Sequence, residues 1–543
     1  MTNKVLKNRI FLILTAITLV SLSCSLNSAE VPRLVVLIAV DQMKYDFTER
    51  FYDLYEGGLK MLIDGGVNFT NTHQAHAYTT TGSGHAAIYT GSYPRTNGII
   101  GNYWYNRNFQ KSEYSVEDEN SPPLSGRGRS VSYKNVLVSG IGDWLKSKYS
   151  NSQVFSIGGK NRSAITMGGE NPDGVYWFDS GTGDFVTSSS YMKEYPEWMS
   201  EFNKSDHFDS YFDSKWNRLL SNSDIYEKYS REDDFPQEGV DGQRTFPHYL
   251  PKKDGYAAEP YDIHWEFPWM DEVTLNLAET IIAEEKLGND ENPDYLAVCL
   301  SVADGIGHTY GPYSQEVMDY FLRLDFMLEK FFKFLNNQIG MENVLIVLTS
   351  DHGTAMMPEY AVEMGLNAER FGREMGTLET EIESFCESRW GTGDYIERIS
   401  NSSIYNNLKT LREKGIGEIE FNSDIKSFLT EFQWISKVYS KHDLMDDSAL
   451  DYEGQLWQNQ FHLERSGDLM LVFKEHYVYR YPYGTGHGTP YGYDTHVPLI
   501  FLGKYMDGRK YNEYVETVDI APTIAKRLNL YIPDNVDGKA IPL

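Results

Sequence analysis

Three apolar runs of β-strand character each lead into an aspartate: LVVLIAV before Asp41, YLAVCLSVA before Asp304 and VLIVLTS before Asp351. Runs this uniformly apolar suit strands covered on both faces, as in a parallel sheet. In open α/β sheets the reactive groups gather beyond the carboxyl ends of the strands, so three carboxylates delivered this way can converge in one crevice. His308 follows Asp304 by four residues, and His352 follows Asp351 directly. A lone strand-end aspartate is ordinarily a turn former or a helix cap. Three of them, two trailed by histidine, point to a site.

The stretch between Tyr295 and Asp351 carries the clearest fold signal. A strand-like run ends at Asp304, Ser314 can cap a helix, and Val317, Phe321, Leu324, Leu328, Phe331 and Leu335 recur on one helical face. Gly340 closes that helix and VLIVLTS opens the next strand, which makes one βαβ unit and implies parallel pairing. Val273, Leu277 and Ile281 mark a further helix upstream, with Gly288 as its stop. The expected fold class is α/β, a mostly parallel central sheet flanked by helices. Candidate site residues run from Asp41 to His487, so residues 30–543 read as one catalytic domain, with an inserted cap subdomain at approximately 357–479. The acidic, aromatic stretch from Asn171 to Trp269 lacks clean periodicity and reads as insertions and long loops.

Lys4, Lys7 and Arg9 precede the apolar run Ile10–Val20 and a small, polar segment, the layout of a secretory signal over residues 1–29. Cleavage after Ser23 would leave Cys24 as a possible lipid anchor; cleavage after Ala29 would remove it. The expected location is across the inner membrane, periplasmic or associated with the outer membrane. No other apolar run reaches the length of a membrane span. Of the three cysteines only Cys299 and Cys386 follow the signal, too few for a disulfide scaffold, and Cys299 sits inside an apolar run as a core residue. The formal charge of −29 disfavours nonspecific binding to nucleic acid. An anionic substrate would meet a repulsive overall field, so its site must carry local cations.

Aspartate and histidine donors suit zinc, and His308 can face the same centre as Asp304 across one helical turn. His487, in GTGHGTPYG, lies among glycines that let backbone approach a site closely. Six such ligands divide into two metal sites, each with an open position. The nucleophile is expected in TTTGSGHAAIYTG, where Gly82 and Gly84 open a short helix whose N-terminus favours negative charge. Spacing leaves Thr79, Thr80, Thr81 and Ser83 all open, each with a competing role as a cap. In SIGGKNRSAI, Lys160 and Arg162 follow a strand and, two apart in extended backbone, would share a face and clamp an anion. Asn102, in GNYWYN, adds a neutral donor.

With these residues in place the chain resembles the alkaline phosphatase superfamily, most closely the secreted bacterial single-chain enzymes with a threonine nucleophile. The matching segments are VDQM, TGSGHAAIYTGSYPRTNGII, KNRSA, SVADGIGHTYGP, TSDHG, GHGTPYGYDTHVPLIFLG and the closing VDIAPTIAKRLNL. The resemblance implies Thr81 as nucleophile. It implies one zinc on Asp304, His308 and His487, and a second on Asp41, Asp351 and His352 with the Thr81 oxygen. Asn102, Lys160 and Arg162 match the family's phosphate contacts; His85 and His496 are carried over as supporting residues. The implied activity is zinc-dependent hydrolysis of phosphate monoesters through a phospho-threonine, with release of inorganic phosphate; a monomer is the expected state. The nearest rival is a nucleotide pyrophosphatase or phosphodiesterase on the same scaffold. A sulfatase lacks support, because no cysteine lies in the nucleophile segment. A surface protein using metals only for rigidity is the rival of another class.

Overall fold

The computed structural model describes residues 31–543 apart from 126, 206, 240–241, 251, 254–259, 447–449 and 480–481. The expected signal segment and Cys24 lie outside the described residues. Nine strands form the main sheet: β1 (Leu34–Val40), β2 (Val67–Phe69), β3 (Val154–Gly158), β4 (Gly174–Asp179), β5 (Asp184–Val186), β6 (Asp294–Leu300), β7 (Val344–Thr349), β8 (Leu499–Leu502) and β9 (Lys510–Tyr511). Their spatial order is β9-β2-β8-β7-β1-β6-β3-β4-β5. The centre, β7-β1-β6-β3-β4, is parallel throughout, while β8 and β5 are antiparallel to β7 and β4. The α/β class read from the sequence is the architecture observed.

β1 explains why these runs show no alternation. Leu34, Val36, Ile38 and Val40 enter one apolar cluster and Val35, Leu37 and Ala39 the other, so each face of the strand is covered. Helices Gly58–Gly65, Trp269–Glu284 and Gln315–Gln338 supply the first layer; helices Thr81–Thr90, Asn161–Gly168 and Ile520–Arg527 supply the second. Ser314 accepts a hydrogen bond from the Val317 amide and so caps the 24-residue helix, and Gly340 follows its end with φ 83°. The helix joins β6 to β7, and β1 lies between the two.

Two local expectations are corrected. The strand before Asp304 ends at Leu300, and Asp304 lies in the first turn of helix Val302–Tyr310. The cause is distant in sequence: the buried Asp271 carboxylate accepts the Ser301 and Val302 amides, at 2.9 and 3.0 Å, and satisfies the start of that helix. Within the stretch read as loops, β4 and β5 extend the main sheet.

Between residues 357 and 479 the chain builds a separate four-stranded sheet, with Ile396–Ser400, Ser403–Asn406, Leu469–Phe473 and Ile435–Ser440 in that spatial order. It has its own apolar cluster around Ile382, Phe421 and Val438. Trp457, Met470 and Val472 pack it against Ala75 and Ala77, just upstream of the helix that begins at Thr81. Cys299 and Cys386 are buried free thiols in different clusters. No helix among the described residues is long and apolar enough to cross a membrane.

Candidate active site

Four adjacent parallel strands deliver charged side chains to one end of the sheet. Asp41 follows β1 directly, Asp351 follows β7 after Ser350, Asp304 follows β6, and Lys160 follows β3. The Lys160 ammonium binds Asp41 Oδ2 at 2.6 Å and Asp304 Oδ2 at 2.5 Å. Burial opposes charge on Lys160, but the two carboxylates prevail and hold its pKa above the ordinary lysine value. Burial, together with the charges of Asp351 and Asp304, pushes the Asp41 carboxyl well up. Burial acts the same way on Asp304, yet His308 and Lys160 hold that carboxyl well below its usual range.

Three imidazoles are fixed in one tautomer. His308 Nδ1 donates to the Thr485 carbonyl at 2.8 Å, His352 Nδ1 to the Gly353 carbonyl at 3.0 Å, and His487 Nδ1 to the Thr79 carbonyl at 2.7 Å. A carbonyl can only accept, so each Nδ1 carries a proton, and in a neutral ring the Nε2 is then the atom free to ligate a metal. The Nε2 atoms face carboxylates: His308 Nε2 is 3.2 Å and His487 Nε2 3.6 Å from Asp304 Oδ1. His352 Nε2 is 3.4 Å from Asp41 Oδ1 and 3.3 Å from Asp351 Oδ2. Burial lowers the pKa values of His487 and His352, which disfavours their charged forms.

This donor set fits divalent metal ions. Asp41 Oδ1, Asp351 Oδ2 and His352 Nε2 are buried without a hydrogen-bond partner, although each points at the others. Such atoms are costly to bury unless a cation meets them. Two groups of ligand atoms lie within 4.8 Å of one another, Asp41 with Asp351 and His352, and Asp304 with His352 and His487. His352 therefore stands in both tight groups, its ring stacked on that of His487 at 3.6 Å between centroids. His308 reaches the Asp304 group through Asp304 Oδ1. All six expected ligand residues are brought together.

The hydroxyls of the glycine-rich segment separate by partner. Thr79 Oγ1 donates to the Thr489 carbonyl, and Thr80 and Ser83 are engaged in a reciprocal cap of helix Thr81–Thr90. Thr81, the first residue of that helix and 1% exposed, has its Oγ1 3.4 Å from Arg162 Nη2. Asn102 Oδ1 accepts the Gly82 amide at 2.8 Å, beside it. Gly84 is required for the approach of this helix, since a Cβ there would sit 2.2 Å from the Asp351 carbonyl oxygen. Lys160 and Arg162 do not share an extended segment as expected. Lys160 is the N-cap of helix Asn161–Gly168 and Arg162 lies in its first turn, so one turn of helix aims both basic groups at the site.

Sequence reasoning assigned no role to Gln42. Its backbone amide donates to Asp351 Oδ1 at 3.1 Å and its side chain to Asp304 Oδ1 at 2.6 Å, from a left-handed conformation with φ 67°. The only signal was its place directly after Asp41. His85 donates Nδ1 to the Thr81 carbonyl at 2.9 Å and lies 3.2 Å from Asp351 Oδ2, a supporting position. His496 is further out, its Nε2 on the Thr70 carbonyl and its ring stacked on Tyr45.

A family model described as type I phosphodiesterase / nucleotide pyrophosphatase matches residues 35–496. The chain is 32% identical over 528 residues to alkaline phosphatase PafA of Elizabethkingia meningoseptica, covering 95% of each protein. It is 33% identical over 520 residues to alkaline phosphatase PhoV of Synechococcus elongatus, covering 94% of this chain and 92% of that one. The crystal structure of wild-type PafA superimposes with a TM-score of 0.89 at 31% identity, over 95% of this chain and 99% of that one.

Proposed function

The chain belongs to the type I phosphodiesterase / nucleotide pyrophosphatase family, within the alkaline phosphatase superfamily, and from that premise we propose that it hydrolyses phosphate monoesters with two zinc ions and Thr81 as nucleophile. Asp304, His308 and His487 would hold one ion, and Asp41, Asp351 and His352 the other. When bound, the ions supply Lewis acidity toward the attacking and departing oxygens. The rest falls to the chain. Thr81 Oγ attacks phosphorus in line, the ester oxygen leaves, and a phospho-threonine remains until water releases inorganic phosphate and restores the hydroxyl. The helix that starts at Thr81 favours negative charge at that point.

The observation that carries the preference for monoesters is the basic pair around Thr81. Arg162 Nη2 lies 3.4 Å from Thr81 Oγ1 and Lys160 lies between Asp41 and Asp304, one carboxylate of each metal group. An ester dianion over these groups has three nonbridging oxygens to satisfy, and two cations with Asn102 match that demand. A diester brings one charge fewer and a second group to house. The name of the family model and its match to residues 35–496 keep a phosphodiesterase or nucleotide pyrophosphatase as the second reading. The proposed setting is outside the cytoplasm, as a monomer.

Matched aryl monoester, diester and sulfate substrates, assayed before and after chelation, separate the readings. The expected order is monoester far above diester, with all activity lost on chelation and restored by zinc. A diester preferred over the monoester would move the assignment to the second reading.

A further inference from the structure

Beside His487 a cleft opens between the main sheet and the segment 357–479. Its lining includes Tyr78, Phe473, Tyr477, Tyr479 and Tyr493, with the backbone of Gly486 and Gly488 next to the imidazole. Two of the rings are anchored as walls. Tyr78 is wedged between Gly101 and Gly488, where a Cβ would come within 3.1 and 3.0 Å of its ring carbons. Tyr479, 53% exposed, stacks on Phe371 at 5.7 Å with 28° between planes, and Phe371 in turn packs on Trp434 and Phe473. Asn401, whose Nδ2 donates to the Tyr103 carbonyl at 2.9 Å, and Ser402 line the same space from the turn between two strands of the smaller sheet. Among the described lining residues none is Lys, Arg, Asp or Glu.

We propose that this cleft receives the alcohol portion of the ester and selects for a flat, uncharged aromatic or heteroaromatic ring. The proposal rests on the monoesterase reading above. In-line attack by Thr81 sends the departing oxygen away from Thr81, and the cleft bordered by His487, a residue proposed to hold one of the ions, is the opening assigned to the group attached to it. Ring faces reward a planar partner by offset stacking, while the Asn401 carbonyl oxygen and the Ser402 hydroxyl are the polar groups that can meet a heteroatom on its edge. No described lining residue offers a counter-ion to a second phosphate or a carboxylate on the alcohol.

The test compares phenyl phosphate, ethyl phosphate and phosphocholine with wild type, Tyr479→Ala and Tyr479→Phe. Each variant is read against wild type on the same ester, which cancels the intrinsic reactivity of aryl esters. For Tyr479→Ala the ratio of kcat/KM for phenyl over ethyl phosphate is expected to fall about 5- to 10-fold, and Tyr479→Phe should restore it. An unchanged ratio would overturn the cleft proposal and leave the monoesterase reading standing. So would a loss confined to phosphocholine, which would mark the rings as a cage for a cation. Wild-type protein that hydrolyses none of the three esters would overturn the monoesterase reading itself, and this proposal with it.

Discussion

Arg162 approaches Thr81 from the neighbouring helix, its Nη2 3.4 Å from the hydroxyl oxygen, so that a cation stands over the side chain proposed to attack phosphorus. Of the hydroxyls in the glycine-rich segment, those of Thr79, Thr80 and Ser83 are taken up by a carbonyl or by the helix cap. Thr81→Ala should therefore keep the fold and the metal content of wild type but lose turnover by at least about 10³-fold. Initial rates alongside metal content by mass spectrometry check this. Turnover near wild type would place the nucleophile elsewhere.

Replacing both Lys160 and Arg162 with alanine removes the charged contacts proposed for the nonbridging oxygens. With roughly 1.5–3 kcal/mol for each charged hydrogen bond, kcat/KM for an aryl monoester should fall by about 10²–10⁴-fold, and for the matching diester by less than about 10-fold. Equal losses on both would remove the argument from charge. Lys160 also binds Asp41 and Asp304, so the metal content of the double variant must be measured with its rates.

Gly84→Ala should lower both stability and zinc affinity. The added methyl would meet the Asp351 carbonyl oxygen at 2.2 Å and force apart the helix and a loop bearing Asp351 and His352. Overpacking of this kind costs about 1–3 kcal/mol. Thermal unfolding of the metal-free and zinc-loaded forms reads the two effects separately.

Asp294 provides a pH signature away from the site. Its carboxylate accepts the Gln153 and Gly288 amides at 2.7 and 2.8 Å, yet burial pushes its pKa up to about 6. The folded state thus holds this proton more tightly than the unfolded chain does. The favourable contribution is full below the ordinary carboxylate value and is lost as pH rises through about 6. Chemical denaturation from pH 4 to 7 should show wild type losing about 2–3 kcal/mol relative to Asp294→Asn over that window. Parallel curves would contradict the shift.

What the sequence made legible follows from how far each determinant reaches. Asp41 and Asp351 could be placed because a run of apolar residues leads straight into them, and the covered faces of β1 are a property of that run alone. Asp304 was displaced from a strand end into a helix by Asp271, a partner 30 and 31 residues from the amides it binds. Lys160 and Arg162 stand out in the sequence as a basic pair, but the spacing suits extended chain and does not announce the helix that aims them. Gln42 carries no signal in the sequence because its role depends on a left-handed backbone and on two carboxylates hundreds of residues away. β4 and β5 are not legible as strands because a short pair at the sheet's edge, in an aromatic and acidic stretch, has no periodicity of its own.

The most direct measurement is to mix zinc-loaded enzyme with an aryl phosphate, quench in acid within the first turnovers, and map the phosphorylated peptide by mass spectrometry. The account predicts a phosphate on Thr81 that accumulates and decays with turnover and is absent from Thr81→Ala. Phosphate on another residue, or steady turnover with no phosphorylated enzyme under conditions where acid-stable phospho-threonine is recovered, would contradict it.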